Sequence, residues 1–380
     1  MGWSIRVRRT DSLEVTVTGL DPDEYGLLHG RCLYDPACRD LDLGFTGPSA
    51  FRVNGSPARI RRFCSFLKAV EQFPPQVPSQ IESCLSNDLR PGAVLTLNGS
   101  DLDLGSRSHI MGVLNVTPDS FSDGGRFNDA GSAVRHVREM AAAGADIIDI
   151  GGESTRPGST QLHENDELRR IIPVIEQVTR ENSVPVSVDT YKATVARAAL
   201  KAGASMVNDI SGLRFSADMA MVVADHGAAV VIMHIKGTPQ NMQKDPVYTD
   251  VIGEIRDWLE DGIAIALKAG IDRNRILIDP GIGFGKTLEH NLIILNRLSE
   301  FRALGCPIVL GTSRKRFIGT VLDIPVPELR IEGTAATVAL GIQQGAHILR
   351  VHDVAYMTRV ARMTDAILRQ APVHQAPNHK

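Results

Sequence analysis

"RILIDPGIGFGKT", residues 275–287, can be read in two ways, and the choice decides the fold. Gly281, Gly283 and Gly285, followed by Lys286 and Thr287, suggest a phosphate-binding loop. That loop needs a glycine five residues before its Gly-Lys pair, so that backbone N–H groups can wrap the phosphates. Here the position is Pro280, and the pattern fails at its first element. The second reading is a short apolar strand followed by a tight glycine turn that can approach a ligand closely. Its chemically important residue is then Asp279, and Lys286 is the exit of the turn.

The second reading fits the rest of the chain from residue 109 onward. Apolar runs recur at "HIMGVLNV" (109–116), "DIIDIGGE" (146–153), "VPVSVDT" (184–190), "SMVNDIS" (205–211), "AAVVIMH" (228–234), "RILIDPG" (275–281), "PIVLGTS" (307–313) and "HILRVHD" (347–353). Stretches of helical period lie between them, among them "SAVRHVREMAAAGA" (132–145) and "KATVARAALKAGA" (192–204). Nearly continuous apolar strands separated by amphipathic helices indicate a parallel sheet with crossover helices. An open doubly wound sheet also alternates, but eight evenly spaced units predict a TIM (β/α)8 barrel.

Each run is apolar at its start and polar at its end: Asn115; Glu153; Asp189; Asn208 with Asp209; His234; Asp279; Ser313; and Arg350, His352 and Asp353. A single polar strand end is a helix cap or a loop anchor. Eight in register mark the C-terminal face of the barrel, where such folds carry their chemistry.

Residues 1–104 do not join the rhythm. "SLEVTVTG" (12–19) alternates like a strand, and "ARIRRFCSFLKAVEQF" (58–73) reads as a helix ended by Pro74-Pro75. "GAVLTLNGSDLDLGSR" (92–107) reads as a strand and turn leading to the barrel. The expected organisation is a small α/β accessory domain over 1–104, the barrel over 105–370, and a polar, disordered tail over 371–380. The "RIRR" run at 59–62 either contacts an anion or a partner, or is a solvated helix face.

Composition excludes several classes. Hydrophobic residues make up 43% and charged residues 22%, and the net charge of −3 gives no global field for nucleic acid. No apolar run approaches the roughly 20 residues that span a bilayer. The five cysteines are odd in number and fit no zinc module, so reduced thiols in the cytoplasm are expected.

"GVLNVTPDSFSDGG" (112–125), "GGESTRPGS" (151–159), "VDT" (188–190), "NDI" (208–210), "DPGIGFGK" (279–286), "SRK" (313–315) and "RVHDV" (350–354) fall in order along the strand ends. In these motifs the sequence over about 109–370 resembles the dihydropteroate synthases of folate biosynthesis. The resemblance implies a TIM barrel that condenses 6-hydroxymethyl-7,8-dihydropterin pyrophosphate with p-aminobenzoate, with Mg²⁺ as cofactor. It also suggests a homodimer.

The residue types suit that chemistry. A pterin presents adjacent N–H donors and a carbonyl, and a buried carboxylate that accepts paired N–H bonds discriminates strongly. Asp279 is the candidate for this clamp, with Asp189 and Asn208 on the remaining ring edge and Lys315 donating to the carbonyl or N5. Capping after a strand is the plain alternative for Asp189 and Asp279. A pyrophosphate needs cations, N–H donors and a hard metal held by oxygens. The resemblance implies Asn115 as the Mg²⁺ ligand, and Arg156, Arg350 and His352 about the pyrophosphate; a capping or core role for His352 stays open. Arg350 can also lie flat on the pterin, with Met233 against the same ring. Thr155, Pro157, Phe284 and Lys315 would form the p-aminobenzoate pocket. Arg316 either pairs with the p-aminobenzoate carboxylate or extends into solvent. A corrinoid-linked pterin methyltransferase and a non-catalytic pterin-binding paralogue are the rival readings. The first needs no pyrophosphate site, against "ESTRPGS" and "RVHD". The second would show a lost motif residue, and none is lost.

Overall fold

The computed structural model describes residues 4–9, 13–32, 35, 38, 41–45, 47, 49–71, 73–79, 81–82, 94–116, 128–154, 161–181 and 184–370. The expected disorder of 371–380 falls outside them, as does most of the loop after residue 116. The chain divides into two compact units, Met1–Pro91 with Ser299–Gly305, and Gly92–Leu298 with Cys306–Lys380.

The first unit contains four antiparallel strands, β1 (Ser4–Arg9), β2 (Leu13–Thr18), β3 (Asp42–Phe45) and β4 (Ala50–Gly55), in the order β1-β2-β4-β3. Period-2 alternation puts Val15, Val17, Phe51 and Val53 on one face, where they pack with Leu28, Ile60, Phe63 and Leu67 of the helices Pro22–Cys32 and Pro57–Ala69. Ser56 starts the second helix by accepting from the Arg59 N–H, with Pro57 in the first turn. Arg59, Arg61 and Arg62 stand exposed on the opposite face of this helix.

The second unit opens with a hairpin, β5 (Val94–Leu97) and β6 (Ser100–Asp103). Eight parallel strands follow: β7 (His109–Asn115), β8 (Ile147–Gly151), β9 (Val186–Asp189), β10 (Met206–Asp209), β11 (Ala229–Met233), β12 (Ile276–Asp279), β13 (Val309–Leu310) and β14 (Ile348–Val351). Their order is β12-β11-β10-β9-β8-β7-β14-β13. The ring closes where Ile278 bridges Ile308 and its N–H donates to the Pro307 carbonyl at 3.0 Å. Helices alternate with the strands, and all eight expected strands are present. The (β/α)8 barrel is therefore the fold.

The barrel interior is built in layers. Met111, Ile147, Met206, Ala229, Leu277, Val309 and Ile348 form an apolar floor, joined by Leu95, Leu97 and Leu104 from the hairpin segment. Residues 92–104, read from the sequence as part of the accessory domain, thus belong to the barrel unit. Their alternating leucines supply the floor that the short strands cannot fill. Two positions further along each strand, the same inward face carries Val113, Asp149, Asn208, Val231, Asp279, Gly311 and Arg350. The layer changes from apolar to polar within one pleat.

Leu97 is fully buried in that floor. Leu97→Ala should lower the stability of the barrel unit by about 2–5 kcal/mol, seen as an earlier urea midpoint with pterin binding retained.

Candidate active site

Asp149 on β8, Asp189 on β9, Asn208 on β10 and Arg350 on β14 meet above the floor. The Arg350 guanidinium donates through Nε to Asp149 Oδ2 and through Nη2 to Asp189 Oδ2, each at 2.6 Å. Asn208 Nδ2 donates to the same Asp149 Oδ2 at 3.0 Å. Asp149 Oδ1 and Asp189 Oδ1 are buried with no hydrogen-bond partner among the described residues. Burial pushes the Asp189 carboxyl up, even against Arg350. Burial also opposes the Arg350 charge, but Asp149 and Asp189 hold it protonated above its ordinary range.

Asp279 ends β12 and is anchored by the turn the sequence singled out. Its Oδ1 accepts from the Gly281 N–H at 2.7 Å. Gly281 (φ +71°) and Gly285 (φ +64°) are left-handed, and side chains there would collide with backbone: a Cβ on Gly281 would lie 1.9 Å from the His234 oxygen, and one on Gly285 2.4 Å from the Lys236 oxygen. Lys315 Nζ folds onto this turn, donating to the Ile282 carbonyl and sitting 4.8 Å from the Phe284 ring centroid. Burial pulls the Lys315 amine down to about 8, partly offset by Asp279. Burial raises Asp279, with Lys315 pulling the other way. Just beyond β13, between β12 and β14, a Cβ on Gly311 would touch both Arg350 and Asp279 Oδ2, so this glycine leaves the space between them open.

Lys286, read from the sequence as a mere exit residue, is buried beneath the same turn. Its Nζ donates to the Phe284 carbonyl at 2.9 Å and lies 2.9 Å from His234 Nδ1. Burial depresses both groups well below their ordinary values; Lys286 further opposes the His234 charge, while Asp279 pulls Lys286 the other way. This buried lysine was hidden in the sequence by its resemblance to a loop exit.

Other expected residues are distributed as follows. Asn115, half-buried, ends β7 opposite Gly151. Met233 is buried with Tyr191, Ile210, Ile235 and Met242, and Phe284 packs on that cluster. Ser313 Oγ accepts the His352 N–H at 3.1 Å and lies 3.0 Å from His352 Nδ1. Arg316 is exposed, and no described residue pairs with its side chain. Thr155, Arg156 and Pro157 lie outside the described residues.

Not every polar strand end serves the mouth. Glu153 accepts from Tyr191 Oη and Lys192 Nζ, and Lys192 also holds Glu167. Asp209 faces out of the barrel and caps the Ser211 and Leu213 N–H groups at 2.7 and 2.8 Å. Asp353 makes a two-pronged pair with Arg314. Sequence reading missed Asp149. Its signal was an aspartate in mid-strand, two residues beyond an inward isoleucine, where a charge needs a buried partner.

The sequence pattern of the Pterin binding enzyme family matches residues 111–352, so the class is that of the pterin-binding barrels. Dihydropteroate synthase of Bacillus subtilis (strain 168) is 50% identical over 281 residues, covering 74% of this chain and 96% of that protein. The crystal structure of dihydropteroate synthase from Clostridium difficile in the presence of pteroic acid is 51% identical with a TM-score of 0.67, covering 70% of this chain and 99% of that one. The structure of the Xanthomonas albilineans enzyme in complex with 7,8-dihydropteroate is 42% identical with a TM-score of 0.66, covering 72% and 98%. The chain belongs to the dihydropteroate synthase family.

Gly281→Ala should displace the turn that anchors Asp279 and Lys315. The expected outcome is loss of pterin binding in calorimetry by about a hundredfold or more, with the barrel still folded by circular dichroism.

Proposed function

We propose that the barrel joins 6-hydroxymethyl-7,8-dihydropterin pyrophosphate to p-aminobenzoate, giving 7,8-dihydropteroate and pyrophosphate. The observation that carries this reading is the buried Asp189 Oδ1, which has no hydrogen-bond partner among the described residues, in one mouth with Asp279, Arg350 and Lys315. A buried acceptor of this kind suits the N–H edge of a pterin. The complexes of the relatives with pteroic acid and 7,8-dihydropteroate support the same ligand class.

In this reading Asp279, Asp189 and Asn208 take the ring N–H groups and Lys315 donates to the ring carbonyl or N5. Two of the three Arg350 nitrogens are already bonded to the floor carboxylates, which favours its flat contact with the ring over its reach to pyrophosphate. The bond from the methylene carbon to the pyrophosphate oxygen breaks first. Pyrophosphate leaves with the electron pair, and the positive charge spreads over the dihydropterin. The p-aminobenzoate nitrogen then attacks the methylene carbon and releases a proton. The floor carboxylates stabilise the cationic ring, while His352 and Arg156 stabilise the departing anion. This is electrostatic preorganisation.

A hard cation fits the donor set. Asn115 offers one amide oxygen at a strand end, and among the described residues no cluster of three His, Cys, Asp or Glu side chains is built for a metal. Mg²⁺ is held in this manner by few protein oxygens together with phosphates. When bound it would neutralise charge on the leaving pyrophosphate. Phe284, Lys315, Thr155 and Pro157 would enclose p-aminobenzoate, with the exposed Arg316 free to meet its carboxylate. A homodimer belongs to this reading. Tyr356, Met363 and Ile367 stand exposed at helical spacing on Val354–Arg369, and Leu340 is exposed on Ile331–Gln343. The cytoplasmic location expected from reduced thiols, with Cys32, Cys38, Cys64 and Cys306 all buried, completes it.

With both substrates and Mg²⁺, pyrophosphate should be released only when p-aminobenzoate is present; release without it, or none, overturns the reading. Asp279→Ala should weaken pterin binding by about a hundredfold or more. Lys315→Ala should cut turnover by about 10²–10³. Protonated Lys315 donates the stronger, charge-assisted hydrogen bond, and burial pulls its amine down to about 8. Therefore kcat/KM should fall as pH rises through about 8, and Lys315→Arg should carry the plateau to higher pH.

A further inference from the structure

Asp149 is fully buried, and its Oδ2 accepts two donors at once, from Arg350 and from Asn208. We propose that Asp149 is the positioning residue of the ring-reading end of the site, fixing the guanidinium of Arg350 and the orientation of the Asn208 amide through one oxygen. The proposal rests on the pterin reading of the mouth.

The argument for Asn208 is one of donor and acceptor. A carboxylate accepts and does not donate, so only the NH₂ end of Asn208 can face it. The amide has a single carbonyl oxygen, which must then point the other way. No described residue donates to that Oδ1, and Asn208 stands on the inward face of β10, beside Asp189 on β9. Asn208 is thereby set as an acceptor for a ring N–H. Without Asp149 the amide can rotate by half a turn and present NH₂ to the same N–H, donor against donor. Specificity at this ring position then lies in a residue that need not touch the ring.

The argument for Arg350 is one of confinement. Its planar fork is held at two points, by Asp149 through Nε and by Asp189 through Nη2. Two points on a plane, with the chain as a third, remove the rotation that a single ion pair leaves free. Asp189 alone would pair with Arg350 but would leave the plane to turn about that contact. Asp149 lies in mid-strand while Asp189, Asp279 and Met233 end their strands.

The test uses the full chain with Mg²⁺, with calorimetry of 6-hydroxymethyl-7,8-dihydropterin pyrophosphate and steady-state kinetics in both substrates. Asp149→Ala should raise the pterin Kd and KM about ten- to a hundredfold while the p-aminobenzoate KM stays within about threefold. Asp149→Asn keeps the shape and one acceptor but drops the charge, and should give a smaller loss of about three- to tenfold. In a double-mutant cycle, Asn208→Ala should add little once Asp149 is Ala, because the amide it removes is already misdirected. The proposal is overturned if both folded Asp149 variants bind the pterin like wild type, if the two KM values rise together, or if the Asp149 and Asn208 losses are additive. Should Asp149→Ala not fold, the Asn variant decides by the same split. Asp279→Ala serves as the reference. If it and the wild type bind pterin equally, or neither binds, the pterin reading itself fails. If only Asp279→Ala loses binding, the Asp149 proposal fails alone.

Discussion

A guanidinium held between two carboxylates in the middle of a closed barrel is the interaction on which the rest of the site depends. Removing Arg350 would leave the buried Asp149 and Asp189 carboxylates without their shared counter-charge, at a cost of roughly 3–5 kcal/mol. Replacing the whole set by hydrocarbon would restore an ordinary barrel core. The protein keeps the charges, and leaves one oxygen on each carboxylate without a described partner. Such an arrangement makes sense when a ligand completes it, because the ligand then meets acceptors already desolvated and aimed.

The second constraint is the turn after β12. Left-handed glycines allow it to fold back against the His234 and Lys236 carbonyls, where any side chain would collide. Asp279 anchors its start, Lys315 caps its middle, and Lys286 supports it from below through the Phe284 carbonyl. Two lysines therefore serve one short loop, both with amines pulled down by burial. Both lie within the field of Asp279; Lys315 also feels Arg350 and Asp189, while Lys286 lies against His234 Nδ1.

The barrel separates stability from chemistry by depth. The floor is aliphatic and is completed by hairpin leucines, so the N-terminal end of the strands is a packed core. One pleat above, the same inward positions turn to Asp, Asn and Arg. The two layers are adjacent along each strand.

The sequence by itself determined the barrel, because burial on both faces leaves continuous apolar runs whose spacing only a parallel α/β fold satisfies. It also singled out the polar residues that close the apolar strands, Asp189, Asn208, Asp279 and Arg350 among them, without telling the inward ones from the rest. The tertiary structure decided what depended on partners far apart in the chain. It separated Glu153, Asp209 and Asp353, which anchor loops and helices, from the residues of the mouth. It assigned the hairpin of residues 94–103 to the barrel floor and brought Lys286 against His234. Asp149 belongs to this second group. Its neighbours Arg350 and Asn208 lie 201 and 59 residues away in sequence, and a buried charge is explained only by the groups that surround it.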